Sequence, residues 1–393
     1  VICLAVGFSN RLTKEKSEDP QIDHIRWKST SKAVHHACSS TLYPEFCVSS
    51  VSSFPGLSKR PGPMEILKVV VKLSIAAVEK ANARARRLSR PGLDQRQRGA
   101  LQDCFELFDE TLDELYSTLS DLKNKTFISI PQSASDLETL LSAAITNQYT
   151  CIDSFTHCKG NLKQSLLGGL RNISHLVSNS LAMVKNISAE ASNLARRTVS
   201  NQNRRLLSDQ SDPNFMPMDS DGFPSWMSAG DRRLLQTSTG TVKPNAVVAK
   251  DGSGNYTNIT EAVEAAPEKS KTRYVIHIKA GVYAENVELH KKKTNLMFIG
   301  DGMDVTVVTG NRNVKENFTT FRSATVAVLG KGFIARDMTF ENTAGAAKHQ
   351  AVALRVGSDL SAFYRCSFKG YQDTLYAHSL RQFYREWHIY GHR

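Results

Sequence analysis

Apolar residues recur at three- and four-residue steps through residues 30–195, lose all rhythm through 196–245, and alternate in short runs from there to the end of the chain. The first pattern predicts helices. Between 101 and 119, Leu101, Cys104, Phe105, Phe108, Leu112, Leu115 and Leu119 fall on one stripe, as in a helix with a single buried face. Met64–Arg90 and Leu162–Glu190 carry two more long patterns. Ser135 and Glu138 read as a capping box ahead of Leu137, Leu140, Leu141, Ala144 and Ile145. Four long helices with short connections predict an all-α, antiparallel four-helix bundle, with a small helical hairpin around Cys38 and Cys47 packed on it. The stripes carry no chemistry, and the arginines at 84–98 read as a solvated face.

Residues 196–245 are rich in Asn, Asp, Ser, Pro and Gly and read as a linker. It holds Arg-Arg-Leu-Leu twice, at Arg204–Leu207 and at Arg232, Arg233, Leu234 and Leu235. Dibasic sequence in an exposed linker is open to proteases. One copy could arise by chance; two in one linker argue against it.

From Val247 the pattern predicts strands at 274–278, 295–299, 305–308 and 324–328, with a short helix at Ile259–Ala266 capping the end of the core. FIARDMTFEN (333–342), AFYRCSFKG (362–370) and QFYREWHIYG (382–391) are variations on one strand, and Phe340, Phe368 and Ile389 close their apolar runs at steps of 28 and 21 residues. A loose period in the twenties predicts a solenoid of stacked parallel strands, about 4.8 Å apart. Gln350 and Gln372, 22 residues apart, would then lie on adjacent rungs. Two stacked amides beside Asp373 can cradle and protonate a polarised carbonyl. The plain alternative is that all three are solvated turn residues. Neighbours in a regular strand point to opposite faces, so Gln372 and Asp373 share a site only where the strand bends.

AKDGSGNYTNITEAVEAAP (249–267), YVIHIKAGVYAENV (274–287), TTFRSATVAVLG (319–330), NTAGAAKHQAVALR (342–355) and YQDTLY (371–376) together resemble plant pectin methylesterases, five motifs in the family's order. The resemblance implies a right-handed parallel β-helix that hydrolyses the methyl esters of polygalacturonate with no metal or cofactor. It makes Asp373 the proton donor to departing methanol, Gln372 the stabiliser of the tetrahedral intermediate, Gln350 a group that holds the substrate or assists that stabilisation, and Thr320 a substrate contact. Gly281, Tyr283 and Glu285 read as structural. The helical half resembles the pectin methylesterase inhibitor domain, which implies Cys38–Cys47 and Cys104–Cys151 disulfides with Cys158 free. It also implies an autoinhibitory pro-region, released by a processing protease after Leu235 or close by. The family's nucleophile, an Asp in a DFIFG segment, is expected just beyond Arg393, and the later LGRPW segment is absent. Trp387 stands where many relatives carry a Cys, which leaves Cys366 without its partner. The expectation is therefore an incomplete β-helix, negligible activity for the chain as it stands, and an open end that favours aggregation.

The domains read as 1–29 (remnant of a signal peptide or anchor, from the run VICLAVGF), 30–195 (inhibitor-like), 196–245 (linker) and 246–393 (esterase). The formal charge of +12, more than half of it from Gln236 onward, suits a polyanion. No nucleic-acid motif accompanies that charge, and Lys291–Lys293 reads as soluble surface. Seven cysteines without a C-x-x-C exclude a common zinc site, and six Asn-x-Ser/Thr sequons suit a secreted, monomeric cell-wall protein or its membrane-anchored precursor. Two other readings stand: an inhibitor acting through the helices alone, and a β-helix lyase, which needs clustered carboxylates for Ca²⁺ that the sequence does not show.

Overall fold

The computed structural model describes residues 32–200 and 218–391. The apolar start of the chain, the first Arg-Arg-Leu-Leu copy, and His392 and Arg393 lie outside the described residues. Among the described residues six helices come first: α1 (Lys32–Ser39), α2 (Pro44–Ser52), α3 (Pro63–Leu88), α4 (Gln95–Lys123), α5 (Ala134–Ser154) and α6 (Leu162–Ser200). Proline opens α2 and α3, where its missing N–H costs nothing. Asp94 opens α4 through a reciprocal capping box with Gln97. The capping box expected at Ser135 does not form. Two 3-10 turns lead into α5, which starts at Ala134 with no side-chain cap. Leu67, Leu107, Phe108, Leu141 and Val177, from the four long helices, share one core. Disulfides join Cys38 to Cys47, across α1 and α2, and Cys104 to Cys151, across α4 and α5. Cys158 is a free thiol whose partial burial raises its pKa.

The segment from Met218 is not the featureless linker that its composition suggests. It contains helix α7 (Ala229–Gln236), whose Leu235 is buried. Three of its eight residues are charged, but its apolar side, Leu234 and Leu235, has a sheet to lie on.

The rest is a ladder: β1 (Ala246–Val248), the short helix α8 (Ile259–Ala265), β2 (Tyr274–Ile278), β3 (Gly281–Ala284), β4 (Val287–Leu289), β5 (Leu296–Gly300), β6 (Thr306–Gly310), β7 (Val326–Val328), β8 (Ile334–Asn342), β9 (Leu354–Val356), β10 (Ser361–Gly370), β11 (Leu375–Ala377), β12 (Gln382–Arg385) and β13 (His388–Gly391). The main sheet runs β1-β2-β5-β8-β10-β12, with β3 beside β6, β6 beside β8 and β13 beside β10. A second sheet runs β4-β7-β9-β11. Each of these pairings is parallel. The strand expected at 324–328 begins at Val326, because Phe321–Ser323 forms a 3-10 turn just before it.

Register stacks like residues. Ile276, Phe298, Ala335, Phe363 and Tyr384 form one column inside the coil; Val308, Phe340 and Phe368 form another, which Ile389 continues in register with its side chain exposed. The Phe363 and Tyr384 rings lie 5.0 Å apart and 10° from parallel. Between the columns the long strands bend. Asp337, Arg365 and Glu386, on successive rungs, take left-handed φ values of 57°, 48° and 53°, and Arg365 pairs with Asp337 at 2.6 and 2.9 Å. At this bend a Cβ on Gly300 would meet the Asp337 carbonyl oxygen at 2.1 Å. Gly300→Ala is therefore expected to destabilise the ladder by about 1–3 kcal/mol, as overpacking does; an unchanged melting temperature would contradict this. The motif residue Glu285 has a structural role: its carboxylate accepts from the backbone N–H of Ile259 and Thr260, at the positive end of α8. Tyr283 is buried in the same core.

Candidate active site

Gln350 lies just before β9, and Gln372 and Asp373 lie between β10 and β11. A parallel bridge pairs Gln350 with Gln372, and the Ala351 N–H donates to the Gln372 carbonyl at 3.0 Å. The two glutamines are thus on adjacent rungs. Asp373 takes a left-handed φ of 62°, which breaks the strand's alternation right after Gln372. It is a bend of the kind the pair would need in order to face one region, but of the two only Asp373 lines the cavity beside it.

A cavity of about 400 Å³ is lined by Thr320, Gln350 and Asp373. Gln372 stands next to Gln350 by backbone pairing but is not among the lining residues, and its side chain is exposed. Buried Asn342 fixes the loops beneath: its amide donates to the carbonyls of Arg312, Ser323 and Val352. Ser323 Oγ donates to the Thr320 carbonyl at 2.8 Å and accepts from the Val352 N–H at 3.1 Å. Partial burial raises the pKa of the Asp373 carboxyl, although the side chain still reaches solvent.

The opposite wall of this cavity comes from the helices. Arg96, Thr150, Asp153 and Ser154 line it together with the strand residues, so Asp153 and Asp373 are the two carboxylates on its described wall. Arg96, read from the sequence as part of a solvated face, instead donates through Nη1 to the carbonyls of Val314 at 2.8 Å and Phe318 at 3.0 Å. Thr150 Oγ1 lies 2.9 Å from His378 Nε2 and 3.3 Å from the Tyr376 hydroxyl. Burial, aided by Arg355, pushes the His378 pKa down to about 3.

Beside the cavity runs a seam of charge. Acidic residues of α4 meet cations of the ladder: Asp103 pairs with Arg322 at 2.6 Å, Glu106 with Arg322 at 2.7 Å and with Arg355 at 3.3 Å, and Asp113 with Lys291 at 2.6 Å. Lys291 also pairs with Asp109, and Arg381 with Asp136 of α5. The Arg355 guanidinium stacks 3.4 Å over Phe321. Burial raises Asp103 to about 6, against the pull of Arg322. The lysine run is therefore not uniform solvated surface: Lys291 faces the helices, and Lys293 is buried, donating to the carbonyls of Glu264 and Ala266. Sequence reasoning missed this seam. Its signal was present in the three- and four-residue spacing of Asp103, Glu106, Asp109, Glu110 and Asp113, an acidic stripe beside the apolar one.

Residues 245–392 match the Pectinesterase family, and residues 32–183 match the plant invertase/pectin methylesterase inhibitor family. "Pectinesterase 2" of Arabidopsis thaliana is 50% identical over 377 residues, which cover 92% of this chain and 62% of that protein. "Pectinesterase/pectinesterase inhibitor 3" of the same plant is 48% identical over 370 residues, covering 91% of this chain and 62% of that protein. The chain thus spans 62% of the length of each of these two curated relatives. Among solved structures, the pectin methylesterase from carrot is 66% identical, over 39% of this chain and 48% of that one, with a TM-score of 0.39.

Proposed function

We propose, for a chain that belongs to the plant pectinesterase family and carries an inhibitor-type domain ahead of its esterase domain, that residues 246–393 serve the hydrolysis of methyl esters of pectin to methanol and pectate. The observation that carries this reading is the pairing of Gln350 with Gln372 on adjacent rungs, beside Asp373 at a left-handed break. Two amides there suit a developing oxyanion, and a carboxyl with a raised pKa suits proton donation to the leaving methoxide. In the first step a carboxylate attacks the ester carbonyl, Gln372 and Gln350 donate hydrogen bonds to the oxyanion, and the Asp373 proton leaves with methanol. In the second step Asp373 takes a proton from water, which hydrolyses the acyl-enzyme. Thr320 contacts the polysaccharide. The attacking carboxylate is not assigned among the described residues: Asp153 belongs to the helices, and Asp373 is the acid. On this reading the ladder is a right-handed β-helix, the helices form a four-helix bundle, and the 393-residue chain alone turns over negligibly.

The helical domain is proposed as an autoinhibitory pro-region. Its acids occupy Lys291, Arg322 and Arg355, cations that suit an anionic polysaccharide, and its Thr150 and Arg96 close the wall opposite Asp373. Two disulfides suit passage through the secretory pathway to the cell wall. The test is methanol release from pectin by this chain, and by a chimaera in which the C-terminal part of Pectinesterase 2 continues the ladder, each with and without residues 32–200. Release is expected only from the chimaera freed of its helices. Equal release with the helices in place would overturn the inhibitory part, and no release from any form would overturn the esterase reading.

A further inference from the structure

Residues 218–241 cross the outer face of the main sheet as a strap. Met218 pairs with Pro224 in a tight antiparallel bridge, and buried Phe223 lies under the Arg385 guanidinium at 4.5 Å. Ser228 caps α7 by accepting from the Asp231 N–H. Leu235, fully buried, packs in one cluster with Val275, Met297, Ile334, Ala362 and Tyr364, the side chains that point away from the inner columns. Asp231 pairs with Arg273 at 2.8 Å, and Arg232 pairs with Asp219. In the middle of this face Arg336, with no exposed surface, donates to the carbonyl oxygens of Leu235, at 3.2 Å, and of Thr237.

We infer that this strap keeps the second Arg-Arg-Leu-Leu copy closed to proteolysis, with Arg336 as its clamp, so that cleavage after Leu235 occurs only when the strap lifts. The inference rests on the reading of Arg232–Leu235 as a processing site. An endopeptidase needs the segment extended, and it must draw the scissile carbonyl into its own hydrogen-bond donors before water hydrolyses the Leu235–Gln236 bond. Here the motif is helical and split: Arg233 faces solvent, Leu235 faces the core, and the oxygen that the protease must polarise is already held by a buried cation. The strap can lift without breaking the ladder. A cavity of about 700 Å³, lined by Arg233, Leu234, Thr237, Thr241 and Arg273, undercuts α7 on one side. Cleavage then follows the population of the lifted form. Processing at this copy is thereby coupled to the packing of the esterase domain rather than to the presence of a protease alone.

The experiment compares chymotryptic cutting of the Leu235–Gln236 bond, read by mass spectrometry, in the full chain and in a synthetic peptide of residues 226–241. Hydrogen exchange is followed at the amides of Arg232 and Thr237, which bond to the Ser228 and Arg233 carbonyls. The chain should be cut at least ~10-fold more slowly than the peptide, with both amides protected. Arg336→Met should raise the cutting rate by roughly 10-fold, as expected for loss of charge-assisted hydrogen bonds from a buried cation. Asp231→Asn should raise it by a smaller factor with the exchange of the ladder amides unchanged, which keeps the test open if Arg336→Met disturbs the sheet. A chain cut as fast as the peptide, or two variants cut no faster than the parent, overturns the inference. Neither arm reads ester hydrolysis. A protected strap in a chain whose chimaera releases no methanol overturns the proposed function alone.

Discussion

Asp373→Asn, placed in the chimaera freed of its helices, is expected to lower methanol release from pectin by ~10²–10⁴-fold, the usual contribution of a positioned acid–base group. The asparagine fills the same space at the same left-handed break, and Asn tolerates that backbone well. Folding and polysaccharide binding should therefore survive, and the loss should appear in kcat with KM nearly unchanged. Gln372→Ala should cost ~10²–10³-fold, the typical cost of one oxyanion donor. An Asp373→Asn enzyme retaining a tenth of the parent rate would remove this residue from the chemistry. It would leave the two glutamines as a binding feature only.

The second large effect lies in the seam between the helices and the ladder. Arg322→Ala leaves Asp103, which has no exposed side-chain surface, without its cation. Removing one member of a buried pair typically costs ~3–5 kcal/mol, since the remaining charge stays desolvated. After cleavage between the domains, their affinity should fall by ~10²–10⁴-fold, measured by calorimetric titration of one domain with the other. Reversing Asp109 and Asp113, whose contacts with Lys291 are exposed, should cost far less. If Arg322→Ala left the affinity within threefold of the parent, the seam would contribute complementarity without strength.

The same seam sets the response to acid. His378, held near 3 when buried under Thr150, would return towards an ordinary imidazole value of ~6.5 when the domains part. Protons therefore favour the parted state as pH falls below that value. Asp103, raised to about 6 in the docked state, would drop towards 3.8 when exposed, so protons favour docking there as pH falls through 6. The two oppose each other between about pH 4 and 6. His378→Asn should leave the contributions of Asp103 and of Glu110, whose carboxyl is raised by burial to about 8 against the pull of Arg355 and Lys291, so that docking of this variant tightens on acidification from pH 7 to 5. Weakening over that range would contradict the assignment.

Much of the ladder was legible in the sequence because a coil repeats its demands. Phe340, Phe368 and Ile389 had to occupy equivalent positions on successive rungs, and their spacing alone showed it. The adjacency of Gln350 and Gln372 followed from the same period. The left-handed break at Asp373 did not, because a backbone bend in a non-glycine residue leaves no compositional mark. Charge was the other blind spot. Arg322, Arg355 and Lys291 look like surface until their partners on α4 are known, and those partners lie more than 170 residues earlier in the chain. Leu235 misled for a related reason. Eight residues rich in charge read as a linker, yet a sheet with an uncovered apolar face gave them a place to fold.

The inner column of Phe298, Ala335, Phe363 and Tyr384 has a bearing on how the ladder is made. Phe363 stacks on Tyr384 of the next rung, Ala335 separates it from Phe298, and the backbone pairings run only between neighbouring rungs, so energy is exchanged mainly between adjacent layers rather than across the whole coil. Growth can start at any well-stacked layer and travel in both directions like a zip, each new layer finding its template already set. Damage should travel the same way: Phe363→Ala would loosen the layers on either side of it while layers several turns away kept their own melting behaviour.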